Sequence, residues 1–406
     1  VNNMNGGVTA AKGFKAAHTA AGIKKDKTDM AMVVCDVPCE AAGTFTSNVV
    51  KAAPVLYDRE VVYGTSKPRA VVVNSGIANA CTGEEGLRYC RETAEEAARL
   101  LNCDQDMVLV ASTGVIGMQV PVDRIKKGIA AMLPGLSDSA EAANAAAKAI
   151  MTTDTREKEC AVSFELGDKT VTVGGMCKGS GMIHPNMCTM LGFITTDANI
   201  SKEMLQKALS AAIADSFNMI TVDGDTSTND TVLLLASGLA ENEKIAEENE
   251  AYALFYEALF TVCRELAMKI AEDGEGATAL FEAKVSGAAS KEDARLMARA
   301  VVGSNLSKAA VFGHDANWGR FLCALGYSGA QFDPSKAELY IESAAGRMQL
   351  VKDGFGVEVD EEFATKILSE AKVTVIADVH AGDFSATAWG CDLSYEYVKI
   401  NADYRS

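Results

Sequence analysis

Several stretches of this chain have apolar residues in consecutive runs rather than on alternate positions: DMAMVVCDV at 29–37, RAVVVNSG at 69–76, the MVLVA of 107–111, MLGFITT after position 189, and TVLLLASG at 231–238. A β-prone run that shows no alternation is a strand buried on both faces. Such strands need sheets covered on both sides, so the expected fold class is α/β, a layered sandwich of two or more sheets covered by helices. At 406 residues the chain has room for two lobes of this kind.

The remaining pattern fits that frame. Residues 84–101 read as an amphipathic helix, with Leu87, Cys90, Ala94, Ala97 and Leu101 on one face. Further helices are expected over 121–133, 138–151, 201–217 (with Ser201 as N-cap), 241–271, 291–302 and 360–371. Residues 43–54 suggest a loop or short helix, and 161–175 a hairpin. NMITV at 218–222 and AAVFG at 309–313 read as strands, as do AELYIESA, MQLVKDGFGVEVD, KVTVIADV, FSATAWGCDL and YEYVKINAD in the last hundred residues.

One junction stands apart. Over 178–197, KGSGMIHPNMC is small, polar and turn-forming, and it gives way abruptly to the strand run that begins TMLGF. Thr189 therefore occupies the first position of a core strand behind a Gly/Pro-rich loop. An ordinary loop-to-strand threonine explains this stretch taken alone. The placement also suits a threonine that becomes a new chain terminus and uses its own amine as base.

Composition excludes several function classes. A net charge of −17 opposes a nucleic-acid or anionic-membrane partner. The first residues lack the basic-then-apolar pattern of a signal peptide, and no window approaches a membrane span, so a cytoplasmic location is expected. The eleven cysteines include no C-x-x-C pair, and four histidines offer little to complete a zinc site. They read as small buried hydrophobes, and no metal is expected.

Other motifs fail on inspection. GGMCKGSG has the glycine spacing of a phosphate loop, but Ser180 stands where the lysine belongs. The carboxylates of DGDTSTND at 223–230 lack the offsets of a calcium loop and suit a loop that bonds its own backbone. His184 and His314 have no G-x-S-x-G partner; both read as structural, His314 being the better functional candidate.

Eight segments taken in order resemble the ornithine acetyltransferase family, the ArgJ-type glutamate N-acetyltransferases. They are AKGF, VNSGIANACTG, STGVIG, GGMCKGSGMIHPNMCTML, ITVDGDTSTND, EDGEGAT, GHDANWGR and the closing NADYRS. The resemblance spans essentially the whole length and implies an autoprocessing enzyme with an N-terminal threonine nucleophile, of the DmpA/ArgJ-like fold. It implies a cut between Cys188 and Thr189, giving an α chain of residues 1–188 and a β chain of 189–406 that associate as α2β2. Alanine is commoner before that bond, and Cys188 departs from the pattern.

The resemblance further implies that Thr189 takes acetyl from N2-acetyl-L-ornithine and passes it to L-glutamate by a ping-pong route in arginine biosynthesis. No cofactor is implied, and acetyl-CoA is left open as a second acetyl source. Thr113 and Gly114 match the oxyanion positions. Thr152, Lys178, Thr189, Glu275, Asn401 and Ser406 match the substrate contacts. Thr153, beside Thr152, is equally able to donate. Lys178 suits a carboxylate and Glu275 the ornithine ammonium. Two rivals remain: an autoprocessing aminopeptidase of similar fold, which an acetyl-transfer assay separates, and a non-catalytic amino-acid-binding relative, which would run as one uncut band.

Overall fold

The computed structural model describes residues 1–184 and 190–403. The chain divides into two compact units. Unit one comprises Val1–Gly179, Asn186–Ala214 and Thr226–Leu266; unit two comprises Ser180–Pro185, Asp215–Asp225 and Ala267–Ser406.

Unit one begins with β1 (Asn2–Met4), β2 (Phe14–Thr19), β3 (Met30–Cys35) and β4 (Glu40–Phe45). Then come α1 (Ala53–Tyr63), β5 (Ala70–Ile77), α2 (Gly83–Leu101), β6 (Val108–Val115), α3 (Val122–Met132) and α4 (Ala140–Ala149). A hairpin of β7 (Lys158–Leu166) and β8 (Lys169–Lys178) leads on to β9 (Leu191–Thr196), α5 (Lys202–Ala214) and β10 (Thr231–Ala236). Helix α6 (Glu250–Glu272) runs from this unit into the second.

The strands form a four-stranded sheet, β2-β3-β5-β6, and a six-stranded sheet, β1-β7-β8-β9-β10-β4. One apolar core joins the four-stranded sheet and helices α2, α3 and α4 to Met176, Leu191, Phe193, Leu233 and Leu235 of the larger sheet. Every residue of β3, β9 and β10 is buried, as the unbroken apolar runs require. Each fully buried Leu, Val or Phe there contributes about 1.5–3 kcal/mol. The hydroxyls that share these strands are satisfied: Thr195 Oγ1 donates to Val8 O at 2.9 Å and Thr196 Oγ1 to Thr172 O at 2.8 Å.

Unit two holds β11 (Leu280–Ala288), α7 (Lys291–Gly303), α8 (Asn305–Phe312), α9 (Trp318–Gly326), β12 (Glu338–Ser343), β13 (Gly346–Lys352) and β14 (Phe355–Gly356). It ends with α10 (Glu361–Leu368), β15 (Lys372–Asp378), β16 (Phe384–Cys391) and α11 (Tyr395–Ala402). Its sheet has the order β14-β13-β12-β15-β11-β16, with α7 against β11 and β16. The layered α/β class expected from the sequence is the one observed.

Local expectations failed where tertiary pairing or a cap outweighed the run. Residues 43–54, read as loop or short helix, contain the end of β4 and the start of α1, whose first turn carries Pro54. The small residues of β4 are poor strand formers, yet they pair in full register with β10. AAVFG is not a strand but the end of α8, capped by Ser304 accepting from Ser307 N at 3.2 Å. NMITV is a 3-10 turn at Phe217–Met219 plus one bridge from Ile220 to Trp389. The long helix starts at Glu250, not 241, because the Asn249 side chain accepts from Tyr252 N at 3.0 Å. YEYVKINAD is α11: its alternating aromatic and β-branched residues lie on an exposed helix with no buried residue.

Candidate active site

The end of β6 carries the expected oxyanion pair, Thr113 and Gly114. In the parallel pair β5–β6, Ser75 lies opposite Thr113 and Gly76 opposite Gly114. Gly114 has φ +131°, and a Cβ there would lie 2.3 Å from the Gly76 carbonyl carbon. No side chain fits, so the close approach of β5 to β6 requires glycine at 114. Thr113 is buried. The neighbouring Ser112 is pinned on two sides, its Oγ accepting from Asn79 N at 2.8 Å and its carbonyl from Asn229 Nδ2 at 2.8 Å.

Lys178 ends β8, opposite Leu191 of β9, and its ammonium is buried with side-chain exposure of 3 %. Asp154 is its counter-charge at 3.8 Å. The same carboxylate accepts from Lys158 Nζ at 2.7 Å, Gly179 N at 2.7 Å and Thr152 N at 3.0 Å. Burial alone would raise the Asp154 carboxyl, but the Lys178 and Lys158 charges outweigh it and hold the group well below the usual carboxylate range. Asp154 thus gathers Thr152 and Lys178, two of the expected substrate contacts, around one buried anion.

After the segment that contains Cys188 and Thr189, the described chain resumes with Met190, whose N–H donates to Asp230 Oδ1 at 3.1 Å. Its carbonyl accepts from Thr231 N at 3.2 Å. Asp230 is fully enclosed; burial raises its carboxyl well above the ordinary value, while the Met190 N–H and the Lys178 charge pull the other way.

In unit two, Glu275 N donates to Ser180 O at 2.8 Å, and Glu275 Oε2 accepts from Asn401 Nδ2 at 2.8 Å. Gly181 lies flat against this carboxylate: a Cβ at 181 would come within 2.4 Å of both Glu275 oxygens. Asp223 receives Met182 N at 2.6 Å, Ile183 N at 2.9 Å and the Tyr397 hydroxyl at 3.2 Å. Asp225 N also donates to Asp223 at 3.2 Å, so the acidic loop binds backbone as its composition suggests.

The structure brings Thr152 and Lys178 together through Asp154, and Glu275 together with Asn401. Thr113 and Gly114 share the end of β6. Cys188, Thr189 and Ser406 lie outside the described residues, and so does the proposed cut. His314 is exposed at the end of α8 with Nδ1 3.4 Å from Ser369 Oγ, and His184 Nδ1 is 3.3 Å from Thr221 Oγ1. Among the described residues no group of three or more His, Cys, Asp or Glu could hold a metal ion, and no helix is long and apolar enough to cross a membrane. Of the described cysteines, Cys35, Cys39, Cys90, Cys177, Cys263 and Cys391 are buried, the small apolar role their spacing suggested, whereas Cys103 and Cys160 are half-buried and Cys81 and Cys323 are exposed, against that reading.

Sequence reasoning missed Asp154, Asp230 and Asn229. Asn229 and Asp230 lie inside the flagged acidic loop and Asp154 lies two residues after Thr152, and what marks them out is burial, which no local pattern encodes.

Comparison with known proteins gives consistent matches. A model described as the ArgJ family matches residues 15–406. An arginine biosynthesis bifunctional protein ArgJ of Symbiobacterium thermophilum is 55 % identical, covering 99 % of both chains. One from Thermotoga neapolitana is 52 % identical over 97 % of this chain and 99 % of that protein. The crystal structure of the arginine biosynthesis bifunctional protein argJ from Bacillus halodurans matches with a TM-score of 0.51 and 49 % identity. That match covers 53 % of this chain and 99 % of the solved chain.

Proposed function

This chain belongs to the ArgJ family, and from that membership we propose that it transfers acetyl from N2-acetyl-L-ornithine to L-glutamate by a ping-pong route. The products are L-ornithine and N-acetyl-L-glutamate, and Thr189 carries the acetyl group between half-reactions. The word "bifunctional" in the relatives' names supports acetyl-CoA as a second donor to the same threonine. No cofactor takes part, because the protein itself holds the acetyl group. The enzyme acts in the cytoplasm.

The precursor first cuts itself. The Thr189 hydroxyl attacks the Cys188 carbonyl through a five-membered ring, the acyl group moves from nitrogen to oxygen, and water hydrolyses the ester. The freed α-amine has an ordinary pKa of about 7.7–8.0, suited to take the proton of its own hydroxyl. Each half-reaction then passes through a tetrahedral oxyanion. The Thr113 hydroxyl and the Gly114 N–H are the donors that receive it. Lys178 holds a substrate carboxylate and Glu275 the ornithine ammonium, with Thr152, Asn401 and Ser406 completing the contacts.

The observation that carries this reading is the position of β9. It is paired with β8, which precedes the cut, and with β10, which follows it; β10 in turn pairs with β4 from the N-terminal part. A break before Thr189 would therefore leave two chains interleaved in one sheet, as the expected α and β chains of an α2β2 assembly would be. The solved Bacillus halodurans chain is matched over 99 % of its length by 53 % of this one, a length that fits one product of such a cut.

The test is to incubate the purified protein with N2-acetyl-L-ornithine and L-glutamate. Ornithine and N-acetylglutamate should appear in equal amounts, with parallel double-reciprocal lines. Release of ornithine and acetate without N-acetylglutamate would overturn the reading in favour of a hydrolase.

A further inference from the structure

The loop before β3 holds a lysine that neither the motifs nor the proposed mechanism uses. The Asp29 carboxylate gathers the N–H groups of Ala21 at 2.7 Å, Ile23 at 2.6 Å and Lys24 at 3.0 Å, fixing the course of this loop. The Lys24 stem then passes over Gly76. A Cβ at Gly76, where φ is +104°, would lie 2.8 Å from Lys24 Cγ, so the glycine makes room for the lysine. Gly76 is the register partner of Gly114.

The far end of the side chain reaches a different element. Lys24 Nζ donates to Met151 O at 2.9 Å and Ala149 O at 3.4 Å, at the C-terminal end of α4. A cation there meets carbonyls beyond the last turn of the helix and the negative end of the helix dipole. Met151 directly precedes Thr152, whose own N–H is held by Asp154. Ser75, next to Gly76, reinforces the joint by donating its hydroxyl to Ala149 O at 2.6 Å.

We propose that Lys24 is a positioning residue for acyl transfer: one side chain braces the oxyanion strand end at Gly76–Gly114 against the carbonyls that set Thr152. The proposal rests on the acetyltransferase reading of Thr113, Gly114 and Thr152. A plain helix cap would need only the contact to α4. The stem's passage over Gly76 is what ties the cap to the oxyanion donors.

The brace is strongest while the ammonium is charged, because the helix end attracts the positive charge. Burial lowers the Lys24 pKa to about 8, partly opposed by Asp29 and Asp154 and reinforced by Lys27 and Lys178. Above that value the lysine loses the charge that the helix end attracts. The Thr189 amine works in the opposite sense, since as a base it must be deprotonated. The two groups therefore act on opposite limbs of the pH profile.

The experiment measures kcat/KM for acetyl transfer from N2-acetyl-L-ornithine to L-glutamate across pH, in the wild-type enzyme, Lys24→Met and Lys24→Arg. Lys24→Met keeps the stem over Gly76 and loses the charge; it should fall by roughly ten- to hundredfold, mostly in kcat, as slight misplacement of reacting groups does. Lys24→Arg should restore most of the activity at neutral pH and move the alkaline limb upward, because a guanidinium stays charged. A Lys24→Met enzyme within about twofold of wild type would overturn the proposal. So would a Lys24→Arg alkaline limb unchanged from wild type, a readout that decides the matter even if Lys24→Met fails to fold. A wild-type protein that transfers no acetyl would overturn the acetyltransferase reading itself; an active wild type with indifferent Lys24 variants would remove this inference alone.

Discussion

Replacing Asp154 by asparagine probes the buried charge cluster most sharply. The carboxylate is 0 % exposed, and the two ammonium groups it serves, on Lys158 and Lys178, are 1 % and 3 % exposed. Its Oδ1 accepts from Lys158 and Gly179, and its Oδ2 from Thr152 while facing Lys178. Asparagine keeps the shape but turns one oxygen into a donor aimed at donors, and it removes the negative charge that the Lys158 and Lys178 ammonium groups share. Breaking a buried ion pair in this way costs about 3–5 kcal/mol. For a body at the upper end of the 150–250 residue range that corresponds to a melting temperature lower by roughly 6–10 °C.

The sign of the pH effect is fixed as well. The folded-state pKa of Asp154 lies below its unfolded value. Its contribution is then fully present above the unfolded aspartate pKa of about 3.9 and fades as pH falls from there through the folded value. Scanning calorimetry of both proteins from neutral pH downward should show a constant gap that begins to close only below about pH 4. A variant melting within about 2 °C of wild type at neutral pH, or a gap that widens in acid, would refute the reasoning.

Two further substitutions test other parts of the account. Gly114→Ala forces a Cβ into the Gly76 carbonyl and displaces an oxyanion donor, so kcat should fall by roughly 10²–10³ while self-cleavage fragments on a denaturing gel check folding; near-normal kcat would remove Gly114 from the mechanism. Asp58 is wholly buried, accepts only Val110 N at 2.9 Å and has its other oxygen unpartnered among the described residues, and burial raises its pKa well above the ordinary value. With the folded pKa above the unfolded one, wild-type stability falls as pH rises between them, so the urea midpoint of Asp58→Asn should rise relative to wild type from acid toward pH 8; a variant midpoint that falls relative to wild type over that range would contradict this.

Much of the fold could be read from residue patterns, and the reasons differ by element. β3, β5, β6, β9 and β10 each carry a run of consecutive apolar residues, and α2 shows its buried face at Cys90, Ala94 and Ala97. The errors came where a run was short and apolar in either period. In α8, Ala310 and Val311 are buried three and four residues after Ser307, a helical spacing that five letters cannot reveal. In α11 the alternation of tyrosines imitates a strand although nothing there is buried. Helix-start signals at Ser304 and Asn249 were present and outweighed by the neighbouring runs.

The site divides the same way. Thr113, Gly114 and Lys178 fall at strand ends, where a motif and a strand boundary coincide. Asp154, Asp230 and Lys24 acquire their roles from partners far along the chain, at Lys178, Met190 and Gly76. Sequence spacing alone holds no record of those encounters.

The account stands or falls on whether the polypeptide opens its own backbone before residue 189 and then carries acetyl on the new terminus. Intact-mass spectrometry of the purified protein, before and after a brief exposure to N2-acetyl-L-ornithine without glutamate, tests this directly. The account predicts two fragments, the second beginning Thr-Met-Leu-Gly and growing by one acetyl group on exposure to donor. A catalytically active protein with a single species at 42.8 kDa would contradict it.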